Sequence, residues 1–173
     1  VVGDVELAGN VFRSWLLDYI YLEQFPAASA TSYTNIDARL YGVSVESTWN
    51  ATDFLRFEAG LAWQRGEKTS RPGLATNDVL AEVPPLRGRL AADLNFERWS
   101  LGANVQLQDR LDRIDTDLNE RELDGWAALN LTFAFRATDY ITVAGGVDNL
   151  TDETYAVANA FVRDPFSSGV VVN

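Results

Sequence analysis

Apolar and polar side chains alternate along most of this chain with a period of two. Between positions 55 and 65, one face reads Leu55, Phe57, Ala59, Leu61 and Trp63, and the other Arg56, Glu58, Gly60, Ala62 and Gln64. Successive side chains of an extended strand point to opposite faces, so the pattern predicts a strand with a single apolar face. Positions 99–108 repeat it, with Trp99, Leu101, Ala103, Val105 and Leu107 against Ser100, Gly102, Asn104, Gln106 and Gln108. Positions 86–97, 126–135, 141–148 and 41–46 alternate in the same way. The first segment, around positions 5–21, is less regular beyond Phe12. The reading predicts about seven strands of roughly 9–14 residues, near or above the length that crosses a bilayer at a tilt.

The connections alternate as well. Short ones are expected at 50–53, 97–98 and 136–139, and long ones at 23–34, 66–83, 109–124 and beyond Asn149. An antiparallel meander sorts its loops this way when one end faces the periplasm and the other reaches outside the cell. On that reading the chain starts on the periplasmic side and the seventh strand ends outside near Asp148, so a further strand is expected beyond this chain. Trp49, Trp63, Trp99, Trp126 and Tyr140 fall near strand ends, where interfacial belts place aromatic rings. Periodicity alone leaves a soluble antiparallel protein, with these aromatics in its core, as a competing reading.

Composition narrows the choice. Apolar residues make up 47% of the 173, yet charges interrupt every apolar run: Asp18 breaks the one from Trp15 to Leu22, and Arg136 ends the one before it. A membrane helix needs about 18 or more such residues in succession, so the pattern argues against a helical membrane protein. Cysteine, histidine and methionine are all absent, which removes disulfides, thiol chemistry and imidazole bases. An outer-membrane hydrolase is disfavoured accordingly, and no catalytic residue or cofactor is expected. The net charge of -11 opposes nucleic-acid binding.

The stretch from Gly145 to Tyr155, GGVDNLTDETY, resembles the sequence closing the penultimate strand of TonB-dependent outer-membrane receptors. Gly146, Val147, Asn149, Leu150, Asp152 and Tyr155 match the family's G-V-x-N-L-x-D-x-x-Y pattern. Asn and Asp form side-chain turns that end a strand. Upstream, Asn35-Ile-Asp-Ala38 with Gly42 and Glu46 resembles another family strand, although Ser44 stands where a glutamate is usual. Trp63-Gln-Arg-Gly66, Pro84-Pro85-Leu86 and Leu129-Asn-Leu131 follow in the family's order. The wording from Asn35 onward is most similar to copper receptors of this family.

The resemblance implies an all-β, antiparallel transmembrane barrel meander. Residues 1–173 would form its C-terminal part, about a third of a 22-stranded molecule, with the plug, TonB box, earlier strands and last strand outside this chain. It further implies TonB-driven uptake of a metal ion, a metal chelate or a similar scarce nutrient across the bacterial outer membrane. The implied partners are outer-membrane lipid and lipopolysaccharide, TonB through an N-terminal region, and the small substrate. A passive porin-like barrel and a soluble β-sandwich binding module are the alternatives.

Candidate ligand-facing residues lie in the long loops. Positions 109–124 carry seven acids, Asp109, Asp112, Asp115, Asp117, Glu120, Glu122 and Asp124, against three arginines. Carboxylates in that number suit a funnel for cations or a calcium-bridged contact with lipopolysaccharide; alternatively they only keep the loop wet. Arg71, Arg163 and Phe166 in the neighbouring loops suit anionic or aromatic chelates. Copper prefers sulfur and imidazole ligands, and this chain has neither.

Overall fold

The computed structural model describes residues 3–25, 30–70, 76–157 and 171–172. Seven strands form one sheet in chain order: β1 (Asp4–Phe25), β2 (Ala30–Asn50), β3 (Leu55–Lys68), β4 (Arg87–Asn95), β5 (Trp99–Gln108), β6 (Trp126–Arg136) and β7 (Thr142–Val147). Every neighbouring pair is antiparallel. A separate two-residue pairing joins β8 (Tyr155–Ala156) to β9 (Val171–Val172).

The alternation of the sequence becomes two unlike surfaces. Val5, Trp49, Phe57, Ala92, Ala103, Leu131 and Val147 align in one cross-strand row spanning all seven strands. The row on the opposite face reads Glu6, Thr48, Glu58, Ala91, Asn104 and Asn130. Apolar residues on the first face remain open, Leu90 at 54% and Leu61 at 57% exposure. No second layer of described residues covers that face, which overturns the soluble sandwich. Water tolerates an apolar sheet face of this size poorly, whereas acyl chains do not penalise it.

Both ends of the apolar face carry aromatics. At the short-turn end, Trp49 stacks on Phe57 with ring centroids 5.4 Å apart, Phe54 on Phe96 at 5.1 Å, and Phe96 on Trp99 at 4.1 Å. At the opposite end Tyr41 meets Trp63 edge-on at 5.9 Å. The short turns close by local bonds: the Phe96 N–H donates to the Trp99 carbonyl, and the Thr138 hydroxyl accepts from the Tyr140 and Ile141 N–H groups.

Two expectations are corrected. Positions 23–34 are mostly strand rather than loop: β1 and β2 run 22 and 21 residues, with Phe25 paired to Ala30. The hairpin climbs past the apolar band because Tyr, Thr and Ser side chains keep the ladder paired in water. Likewise Trp126 pairs with Gln108 and so lies on the polar face, outside the aromatic belt. Strand parity decides this, since Trp126 shares its face with Ala128 and Asn130.

One irregularity interrupts β1. Its pairing with β2 jumps from Leu16–Ala38 to Tyr19–Ile36, so three steps on β1 face two on β2. Asp18 takes the left-handed conformation at this bulge, with φ of 54°. Its N–H donates to the Asp37 carboxylate at 3.3 Å. Beyond it the odd residues of β1 swap faces, and Tyr21 joins Ile36, Ala38, Leu80, Ala81 and Leu118 in the main buried cluster of the described residues.

Candidate functional site

The long connection 109–124 is built to fold over the inner wall. It leaves β5 with the Asp109 N–H donating to the Leu86 carbonyl, and Leu111 and Leu123 exchange backbone bonds across its neck. Its tip is a single 3-10 turn, Thr116–Leu118, capped by Asp115, whose carboxylate accepts from the Asp117 N–H at 3.1 Å. Asn119 then turns left-handed at φ 54°, a conformation Asn tolerates better than most residues. This geometry points Leu118 into the buried cluster at 1% exposure.

Beside Leu118 lies a buried ion group. The Lys68 ammonium, at the last position of β3, donates to both Asp115 oxygens at 3.0 and 3.1 Å and to Asp117 at 3.0 Å. It also donates to the Tyr21 hydroxyl at 3.1 Å, which in turn donates to Asp115 at 2.8 Å. The side chains of Lys68 and Asp115 are fully shielded from solvent. Such a pair survives burial only because every hydrogen-bonding position is filled. Three separate segments, β1, β3 and the loop, therefore meet at one nitrogen.

The preceding connection is clasped to the same group. Asp117 accepts from the Thr76 hydroxyl and the Thr76 N–H, and from the Asn77 N–H at 3.4 Å. Burial alone would push the Asp117 carboxyl up, but these bonds and Lys68 hold it down at about 2. The Glu120 carboxylate accepts from the N–H of Glu82 at 2.9 Å and of Asp115 at 2.7 Å.

The seven acids thus divide. Asp115, Asp117 and Glu120 hold the loop against the wall. Glu122 pairs with Arg110, and Asp109 accepts from the Arg110 N–H. Asp112 and Asp124 stand on the exposed surface with Asp109 and Glu122. Arg71, Arg163 and Phe166 lie outside the described residues. Lys68 and Tyr21 carry the group, yet neither stood out in the sequence: each sits at a strand position far from its partners along the chain.

Below the loop, the polar face lines a cavity flanked by Glu46, Arg56, Glu58, Arg89, Gln106 and Gln108. Glu58 pairs with Arg56 at 2.7 Å and with Arg89 at 3.4 Å. Trp126 enters this cavity and stacks on Tyr155, centroids 4.1 Å apart. The turn from β7 to Tyr155 is set by Asn149, at φ 51°. Its side chain donates to the Glu153 carbonyl at 2.9 Å and accepts from the Glu153 N–H at 3.0 Å. Its own N–H donates to the Asn130 side chain at 2.7 Å, and Asn130 donates to Asn104 at 3.0 Å. The signature residues Asn149 and Tyr155 therefore end the strand and turn the chain inward over the polar face.

One apolar face open to lipid, a polar face lining a cavity, short turns at one end and packed long loops at the other define an outer-membrane β-barrel wall. The family model described as TonB dependent receptor-like, beta-barrel, matches residues 2–150, and the chain belongs to that family. Solved structures agree on the fold. The chain is similar to the copper transporter OprC, with a TM-score of 0.81 and 23% identity, covering 97% of this chain and 27% of that one. The ferric yersiniabactin uptake receptor FyuA from Yersinia pestis follows with a TM-score of 0.70, 20% identity and coverages of 88% and 23%. The pyoverdine receptor FpvA from Pseudomonas aeruginosa gives 0.63, 14%, 87% and 23%. This chain spans about a quarter of the length of these proteins. A search of curated protein sequences finds no match.

Proposed function

We propose that residues 1–173 supply the C-terminal barrel wall and extracellular loops of a receptor that imports a scarce metal ion or metal chelate, driven by TonB. The observation that carries this is the loop 109–124, fastened over the inner wall by Lys68 rather than free in solvent. A loop held in one geometry gives the fixed vestibule that recognition of a dilute solute needs, and the family match over residues 2–150 favours a receptor over a passive pore. Similarity to a copper transporter and to a ferric-chelate uptake receptor supports this class of nutrient. The exposed acids of the loop, Asp109, Asp112, Glu122 and Asp124, are the candidates for meeting cationic cargo, with Asp115, Asp117 and Glu120 holding the loop in place. Arg71, Arg163 and Phe166 are the corresponding candidates for an anionic or aromatic chelate. The role is transport without catalysis.

Uptake of radiolabelled copper and of labelled ferric chelates by cells expressing the complete receptor tests this. Uptake is expected to vanish when TonB is deleted or the proton gradient is collapsed. Equal uptake with and without TonB would make the molecule a passive barrel instead.

A further inference from the structure

The polar face is unevenly filled. Two of its rows cross β3 at Gly60 and Ala62, which offer almost no side chain, while Glu46 and Ser44 flank them on β2 and Arg89 and Arg87 on β4. The result is a hollow of 630 Å³ sunk into the wall. It reaches down β3 from Ala62 to Arg56. Six residues of tilted strand descend about 15 Å, more than half of a ~25 Å apolar band. The hollow therefore starts beneath the docked loop and leads towards the short-turn end.

Its charges cancel. Arg56, Arg87 and Arg89 are matched by Glu46, Glu58 and by Asp93, which lies opposite Arg56. Glu58 bridges Arg56 at 2.7 Å and Arg89 at 3.4 Å. Paired charges offer hydrogen bonds at several levels without one deep trap, and a solute that must leave as well as enter needs that. At the upper end Gln108 is 3% exposed, and neither its amide oxygen nor its amide nitrogen has a hydrogen-bond partner among the described residues. The Trp126 indole nitrogen, opposite Gln108 and under the Tyr155 ring, is buried and equally unmet. Dry polar atoms without partners are costly, and a wall packed only for its own stability would not collect three of them at one mouth.

We infer that this hollow is the wall side of the import passage. The solute descends between strands β2–β5 and the plug, meeting Gln108 and Trp126 first. The inference rests on the import reading and adds to it the side of the barrel on which the passage opens.

The test uses cells expressing the complete receptor, to which this chain contributes no cysteine. Gly60→Cys and Ala62→Cys are treated with a small sulfonated thiol reagent, with and without TonB, against the parent receptor as background. Labelling at both positions is expected to run on the order of tenfold faster with TonB, because it tracks the population of the open state. Thr132→Cys, on the polar face outside the hollow, should label at one rate in both strains. Equal rates in the two strains at 60 and 62 would overturn the inference, as would the same TonB-dependent rise at 132. A second arm fills the hollow: a Cβ at Gly60 meets only the Glu46 side chain, at 3.9 Å, so Gly60→Trp adds bulk without disturbing the ladder. Surface binding of labelled copper and ferric citrate should persist in this variant while their uptake is lost, and Leu90→Trp on the lipid face should import normally. Normal uptake in Gly60→Trp would also sink the inference, whereas wild-type uptake that ignores TonB would count against the import reading itself.

Discussion

Replacing Lys68 by Met removes the ammonium that three segments share while keeping most of the side-chain volume. Asp115 would then remain fully buried with only the Tyr21 hydroxyl and the Asp117 N–H to meet its charge. Breaking a buried pair by deleting one partner costs about 3–5 kcal/mol. The strand ladder is untouched, so the cost falls on docking of the loop rather than on the barrel. At about 1.4 kcal/mol per factor of ten, 3 kcal/mol corresponds to a loss of protection on the order of 150-fold. Hydrogen–deuterium exchange on the complete receptor in outer-membrane vesicles should show this at the Leu111 and Leu123 amides, which bond across the loop neck. Amides in the middle of β5 and β6 should not change. The double variant K68M/D115N, with the orphaned charge removed, should recover most of the protection. Unaltered exchange at Leu111 and Leu123 in K68M would refute the reasoning, and so would a double variant no better than the single one.

The remaining predictions concern other parts of the wall. Asp117 has its carboxyl lowered to about 2 from an ordinary value of 3.8, so its contribution to docking is complete above about pH 4 and is lost as pH falls towards 2; the protection factors of the loop amides, corrected for the intrinsic pH dependence of exchange, should be flat from pH 8 to about 5, and acid loosening absent in D117N would confirm its source. Asn149→Ala deletes both side-chain bonds to Glu153 and should cost roughly 1–2 kcal/mol, read as a lower temperature for loss of the compact band on unboiled gels; Asn149→Asp, which keeps the acceptor, should lose less. Leu90→Lys places a charge near mid-band on the exposed apolar face and should cost about 2–4 kcal/mol, whereas Ser44→Lys on the polar face should cost little. Equal costs at the two positions, measured by urea unfolding in lipid vesicles, would contradict the lipid-facing orientation.

Much of this was legible in the sequence because period-two alternation is a local signal. The bounds of β5, Trp99–Gln108, coincide with the alternating run, and the turn after β7 follows from the residues of its own signature. Parity also fixes Trp126, which shares a face with Asn130, although a tryptophan near a strand end equally suits an interfacial belt. The Lys68 group was hidden for a different reason. Lys68 and Asp115 are 47 positions apart, and seven acids compete for it on paper, so charge alone does not choose the partner. The choice is made by Leu118, which must reach Ile36 and Ala38 and carries Asp115 with it. Positions 23–34 misled because their Ser, Thr and Ala content suits turns as well as a water-exposed ladder.

The bulge at Asp18 acts as a phase shift between two parts of one strand. Below it, odd positions of β1 meet lipid; above it, they meet Ile36 and the ammonium of Lys68. Removing Leu17 would make the register continuous, with Asp18 opposite Asp37 and Tyr21 still opposite Thr34 on the inner face, while every rung beneath kept its place. One inserted residue thus offsets the alternation read along β1 while the inward face stays inward above and below it, which is why the period-two pattern breaks within this strand although the wall it builds does not.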